Sequence, residues 1–280
     1  RRSPAFSTSE DGIEWSQFRP ALWADARDDR NAFRNLTRVR EVLSYDYPDH
    51  VHSEFNDVKP YPYAGLYLAT VTMFECSGAD IYKGTPGGRG SGKDDCATHL
   101  QLASSRSSDL SEWQRAGPRD PLIDRGADGE WDSAFISASD FPVEVGNELW
   151  LYYGGFAHTQ QHQCCQVFAG SAMKRGDVAT GIGVATMRLD GFVSLDSVAS
   201  PARLTTKPLR FSGERLEVNA AVRGSLRFAV LDEEGHALPG LGESDCEPLE
   251  GDSVRHVARW QDESRLRQLA GLPVRLAFHL

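Results

Sequence analysis

The residues of this chain whose types suit them to chemistry are acids set just ahead of apolar runs. Asp132 lies in "GADGEWDSAFISASDFPV" (126–143), between Trp131 and a stretch that reads as a strand, with Glu130 two residues earlier. Glu54 and Asp57 occupy a matching place in "HSEFNDVKPYPYAGLYLATVTMF" (52–74). Two carboxylates that face each other across a bound molecule can divide acid–base work, one kept protonated as general acid and the other ionised as base or nucleophile. Cleavage of a glycosidic bond needs such a pair. Acids of this kind also cap turns at strand entrances, so position in space has to decide between the two roles.

Aromatic residues crowd the same segments: Trp131, Tyr61, Tyr63, Tyr152, Tyr153 and Phe156. Flat rings suit the apolar faces of sugars, and they also fill the cores of β-proteins. Trp131, Tyr63 and Tyr153 are the candidate substrate contacts. His158, on the segment after "WLYYGG", is a candidate polar group for the same cavity.

Other constellations carry less. "GGRGSGKD" (87–94) has the glycines and lysine of a phosphate loop, but Asp94 stands where Ser or Thr is required and no strand or helix pattern flanks it. "FAHTQQHQCCQVF" (156–168) gathers His158, His162, Cys164 and Cys165, yet adjacent cysteines are poor partners on one zinc ion. No metal or other cofactor is therefore expected. A Ser-His-Asp site lacks the G-x-S-x-G turn that would support it.

The elements that must hold these residues read as strands. Apolar residues come in short runs, "AGLYLATVTMF", "NELWLYYGGF", "GIGVATMRL" and "SLRFAVLD", separated by Gly, Pro, Asp and Ser, and helical periodicity is nearly absent. "DESRLRQLAG" (262–271) is the exception, a short helical turn stopped by Gly271. The turns carry a repeat. "SEDGIEW" (9–15) and "SSDLSEW" (107–113) share Ser-x-Asp with Trp four residues on, and "SYDYPDH" (44–50) keeps Ser-x-Asp with His50 in the Trp place. Each Asp should cap backbone amides while the aromatic packs between sheets. Asp11, Asp46 and Asp109 are spaced by 35 and 63 residues, and the longer gap falls to 44 without the 19 residues between Cys76 and Cys96. A period of this size with several strands per unit predicts β-propeller blades over 1–200. The first strand of each blade would line a shared channel, bringing Glu54 or Asp57 and Glu130 or Asp132 together. From about 201 to 280 the repeat is lost, and alternating strands and Gly or Asp turns predict a β-sandwich. About four blades' worth of chain suggests an incomplete propeller, completed by another segment or chain.

Composition narrows the partners. Among 280 residues, 40 acidic against 30 basic side chains give a formal charge of −10, with no basic patch to attract nucleic acid. No apolar run reaches the roughly 20 residues needed to cross a bilayer as a helix, so membrane insertion is not expected. The chain opens without Met or a leader pattern, as a mature or clipped product would. Five cysteines, Cys76, Cys96, Cys164, Cys165 and Cys246, and the sequon Asn35-Leu36-Thr37, a candidate glycosylation site, favour secretion. A Cys76–Cys96 disulfide is expected to close the insertion between them, and the odd count leaves one thiol over.

The order of the "SEDGIEW" turn, "WDSAFI", "ELWLYYGG", "GIGVATMRLDGFVSLD" and "LTTKPLRF" resembles bacterial secreted proteins related to the five-bladed propeller glycosidases of the invertase, levansucrase and arabinanase type. The resemblance covers most of 1–280 and implies a five-bladed propeller followed by a C-terminal β-sandwich. It also implies three acids from successive blades: a nucleophile or base, a transition-state stabiliser and a general acid. The first-blade acid has no counterpart here. "PRDP" (118–121) has the letters of the invertase Arg-Asp-Pro signature but sits in a linker, and Glu75-Cys76 in "FEC" matches Glu-Cys only where the insertion opens. The expectation is a secreted glycoside hydrolase-like protein acting on a polysaccharide or oligosaccharide through Asp132 and Asp57 or Glu54. The alternative is a non-catalytic extracellular module, carbohydrate-binding or structural, within a larger assembly.

Overall fold

The structure, a computed structural model, describes residues 1–36, 51–77, 96–107, 110–160, 179–199, 201–262 and 264–280. The "SYDYPDH" turn, Asp109, the phosphate-loop-like segment, His162, Cys164 and Cys165 lie outside the described residues. The chain divides into two compact units, Arg1–Met187 and Arg188–Leu280.

The N-terminal unit is built mainly from two four-stranded antiparallel sheets. The first runs β3 (His52–Tyr63), β4 (Leu66–Cys76), β5 (Cys96–Ser105) and β6 (Gln114–Arg115) in simple sequence order. The β3–β4 turn is the two-residue Ala64–Gly65, both with φ in the left-handed region (46° and 79°), which matches the twist of a tight hairpin. β4 and β5 are buried almost throughout, so the run read as "AGLYLATVTMF" is covered on both faces. The second sheet has the order β10 (Thr180–Arg188), β9 (Glu148–Phe156), β7 (Phe135–Ala138), with β8 (Val143–Val145) also on β9. The two sheets meet at β5, where Thr98 N–H donates to Ala134 O (3.1 Å) and the Thr98 hydroxyl to Ile136 O (2.7 Å). Leu100, Ile136, Ala138 and Leu151 fill the space between them. A two-stranded ribbon, β1 (Ala5–Phe6) and β2 (Arg19–Pro20), precedes them.

These are blade-like meanders, but among the described residues no sheet closes on itself and the all-β class is what stands, without a closed propeller. The turn repeat is half realised. Asp11 does cap, accepting from the N–H groups of Ile13 (2.8 Å) and Glu14 (2.9 Å), while Trp15 stays 63 % exposed instead of packing between sheets. Trp113, its counterpart, packs against the cluster of Phe55, Val71 and Met73.

The reading of almost no helix also needs correction. α1 (Ala26–Leu36) is an 11-residue helix of sequence ARDDRNAFRNL. It starts on a reciprocal cap: Asp25 Oδ1 accepts from Asp28 N–H (3.3 Å) and Asp28 Oδ2 from Asp25 N–H (3.0 Å). It buries Ala32, Leu36 and, unusually, Asp28.

In the C-terminal unit, one long strand does the work of two. β12 (Leu216–Leu231) pairs through its first part with β13 (Leu249–Ala258) and through its last part with β14 (Arg275–His279), which also carries β11 (Arg203–Thr205). Register shifts after Val218 and Val222 mark where β12 bends. The result is a single four-stranded path around Val222, Leu226, Phe228, Val230, Trp260 and Val274. α2 (Ser264–Gln268) is the expected helical turn, with Gly271 beyond it at φ 78°.

Candidate functional site

The best-formed candidate lies on the β9–β10 face, where glycines leave the strands bare. Gly155 on β9 and Gly181 and Gly183 on β10 have no side chains, and aromatic rings lie on the backbone thus exposed. A β-carbon at Gly155 would stand 2.5 Å from the Trp131 indole and 2.5 Å from Asp132 Cβ, and one at Gly181 would be 3.0 Å from the same indole. At Gly183 it would meet the Tyr153 ring at 2.6 Å. Trp131 and Tyr153 are therefore fitted to the glycines beneath them. Their rings are nearly parallel, 16° apart with centroids at 5.7 Å, and both are half-buried.

Asp132 is held beside this pair. Its loop is closed by Gly126 N–H donating to Asp132 O (3.2 Å), and the turn before it uses Gly129 at φ 91°. The carboxylate is buried, and Oδ2 accepts from the Tyr153 hydroxyl at 2.7 Å. Among the described residues no Lys, Arg or His comes within ion-pair distance of it. Desolvation and then the adjacent Asp132 push the Tyr153 phenol up to about 12, so it remains a neutral donor at physiological pH.

The other candidate acids, on β3, lie against basic side chains. Glu54 is 3.6 Å from the Arg2 guanidinium and 3.5 Å from His52 Nε2. Asp57 follows a bulge at Asn56 and lies 3.8 Å from Lys59 Nζ, which also donates to Ala138 O. Glu54 pairs with Phe74, Phe74 with Thr98, and Thr98 bonds to Ala134. That row puts three strand spacings, roughly 14 Å of backbone, between Glu54 and the start of the Asp132 strand. Tyr63 sits at the β3–β4 hairpin tip opposite Leu66, and His158 is half-buried just beyond β9. Cys76 and Cys96 form the expected disulfide, directly opposite each other on β4 and β5.

A second constellation brings together residues that sequence reading kept apart, Asn35 as a sequon and Glu75 as the acid of "FEC", with others it did not single out. Glu75, 1 % exposed in the middle of "FEC", accepts from Asn35 Nδ2 (2.7 Å) and Arg125 Nη1 (3.0 Å) and lies 3.3 Å from His99 Nδ1. Burial pushes its carboxyl up, but His99, Arg125 and Asn35 together outweigh that and hold it below its ordinary value. The chain of contacts continues from His99 to Gln101 (2.8 Å), from Gln101 to Arg115, and from Arg115 through a two-point bond to Asp28 (2.9 and 3.2 Å). Arg119 adds contacts to Asp28 (3.1 Å) and Asp25 (2.8 Å). An acid within an apolar strand, with polar His99 and Gln101 alternating on the next, was the available signal. The nitrogen of Asn35 that a glycan would use is the one that reaches Glu75.

In the C-terminal unit, Arg215, Arg259 and Arg267 line a groove of about 290 Å³ with Trp260 and Leu266.

Among known proteins, no family model matches the chain and no curated protein does. Solved structures show a weak likeness. The chain is similar to a protein described as a glycoside hydrolase at 12 % identity and TM-score 0.31, over 68 % of this chain and 37 % of that one. It is also similar to an N-acetylgalactosamine deacetylase from F. plautii, solved with blood group B trisaccharide, at 16 % identity and TM-score 0.36, over 67 % of this chain and 42 % of that one. The chain thus spans less than half the length of either protein.

Proposed function

We propose that the N-terminal unit binds carbohydrate at the Trp131–Tyr153 face, with Asp132 accepting a sugar hydroxyl. The observation that carries this reading is the fit of two near-parallel rings to a strip of glycines, with a buried carboxylate beside them that no cation among the described residues neutralises. Flat rings take the apolar C–H face of a pyranose, and an ionised carboxylate in a poorly hydrated place accepts hydroxyl hydrogen bonds strongly. The sequence resemblance to propeller glycosidases supports the same ligand class.

Binding without hydrolysis is the form of this function that Glu54, Asp57 and Glu75 favour. Hydrolysis needs a second carboxyl about 5–9.5 Å from Asp132. Glu54 and Asp57 are engaged by Arg2, His52 and Lys59, and Glu54 starts from a strand about three spacings away. Glu75 is held ionised by buried partners and so cannot serve as a proton donor while they remain.

The test is a panel of neutral oligosaccharides and polysaccharides, scored for binding by calorimetry and for release of reducing ends. Binding that falls by about tenfold or more in Trp131→Ala and Asp132→Asn is expected, with no release by the parent chain. Release that Asp132→Asn abolishes would establish hydrolysis instead. Binding unchanged in both variants would remove the site.

A further inference from the structure

The row of side chains that crosses β3, β4 and β5 at the disulfide carries a second property. His52 lies opposite Cys76 on β3–β4, and Cys76 lies opposite Cys96 on β4–β5, so the three residues form one line on one face of the sheet. Glu54, two residues along β3, projects from that same face because side chains alternate along a strand. The ligand-type atoms of His52, Glu54 and Cys76 all lie within 4.8 Å of one another, and His52 Nε2 is 3.5 Å from Glu54 Oε1.

We propose that these four residues form a tetrahedral zinc site when the Cys76–Cys96 disulfide is reduced. Zinc takes thiolate at about 2.3 Å and imidazole or carboxylate at about 2.0–2.2 Å, which places ligand atoms roughly 3.3–3.8 Å apart. His52, Glu54 and Cys76 need only a small contraction, and Cys96, bonded to Cys76, would be the fourth ligand once the two sulfurs separate. In the disulfide the sulfurs carry no negative charge and are poor ligands, so one row holds either an S–S bond or a metal ion.

The chemistry balances with a phosphine as reductant. Phosphine and one water become phosphine oxide, the S–S bond breaks, and two thiols form. As zinc binds, both thiols release their protons to solvent. Two thiolates, one carboxylate, a neutral imidazole and Zn²⁺ leave the filled site with one net negative charge, and the Arg2 guanidinium, 3.6 Å from Glu54, is placed to offset it. The cysteines are buried and the His52 and Glu54 side chains are 17 % and 15 % exposed, so the metal would enter from their side.

The experiment titrates zinc into the full chain, oxidised and phosphine-reduced, against a chromogenic chelator, with His52→Ala and Glu54→Gln in parallel. Each variant keeps the disulfide, so its folding is checked in the oxidised state. The reduced parent is expected to bind one more zinc ion per chain than the oxidised parent. His52→Ala should lose that ion or hold it more than about 100-fold more weakly, with a smaller loss in Glu54→Gln. Any zinc bound through the other cysteines would persist in His52→Ala and is thereby subtracted. If reduction loosens the fold, zinc should restore the near-ultraviolet circular dichroism of the parent but not of His52→Ala. No additional zinc on reduction, or an equal gain in His52→Ala, would overturn the proposal.

Discussion

Asp132 and Glu75 are both buried carboxylates in the N-terminal unit, and their surroundings have opposite chemistry. Glu75 sits among Arg125, His99 and Asn35, with donors from α1 and the loop before β7 on its oxygens and the His99 ring of β5 3.3 Å away. Asp132 meets a neutral phenol from β9 and rests against glycines. Burial alone therefore does not identify a functional acid. A carboxylate whose charge is matched by a buried guanidinium is spent on holding elements together, because removing either partner strands the other. One whose charge is met, among the described residues, by a neutral phenol keeps capacity for a ligand.

The contrast is broken most directly by removing each charge in turn. Glu75→Gln leaves Arg125 buried without its counter-ion and should cost roughly 3–5 kcal/mol in urea unfolding. Asp132→Asn keeps an acceptor for the Tyr153 hydroxyl and should cost about 1 kcal/mol or less. Ligand binding should show the reverse order. Comparable stability losses in the two variants would erase the distinction. The Glu75 difference also has a pH signature. Its folded carboxyl titrates below the ordinary value of 4.5, so its stabilisation is complete above that pH and fades as the pH falls through the lower folded value. The parent and Glu75→Gln should converge in acid.

Two adjacent glycines sharpen the Asp132 side of the comparison. Gly155→Ala would drive a methyl into Trp131 and Asp132, and a loss of about 1–3 kcal/mol together with weakened sugar binding is expected. Gly154→Ala, where nothing lies within 4 Å, should change stability by no more than about 0.5 kcal/mol. Equal effects would mean that the rings are not seated on the glycine strip.

The smallest effect is spectroscopic. Tyr153 and Tyr61 should both ionise near 12, Tyr61 through burial and Tyr153 through burial plus Asp132. Asp132→Asn should lower one of these two transitions and leave the other. Since the folded phenol of Tyr153 titrates above its ordinary 10, its contribution to stability is complete below pH 10 and is lost as pH rises through about 12.

What could be read in advance follows from which interactions leave a periodic trace. The runs that became β4, β9, β10 and the end of β12 were visible because each buries apolar residues in a short stretch bounded by turns. The disulfide was visible from the cysteines flanking the insertion, and Trp131, Asp132 and Tyr153 from an acid and aromatics at strand ends. α1 left no apolar stripe, since its inward face is Ala32, Leu36 and the ion-paired Asp28. Its trace was the Asp25-x-x-Asp28 cap. The Glu75 network was hidden for a similar reason. Its members, Asp28, Asn35, Glu75, His99, Gln101, Arg115 and Arg125, are scattered along the N-terminal unit, and only pairing of distant strands unites them. Propeller closure was expected from turn spacing, and turns report hairpins without reporting how sheets join.

The Asn35 bond has a consequence for biosynthesis. In a compartment that modifies sequons, the transferase meets the nascent chain before β4, which carries Glu75, has paired with β5. The nitrogen it would glycosylate is the one later required to donate to Glu75, so sugar transfer and docking of α1 compete for a single atom. Chains that dock first bury their claim on it, whereas chains modified first must complete the core with an oligosaccharide in the way. The ratio of glycosylated to unglycosylated product would then act as a clock for how early this helix finds its place.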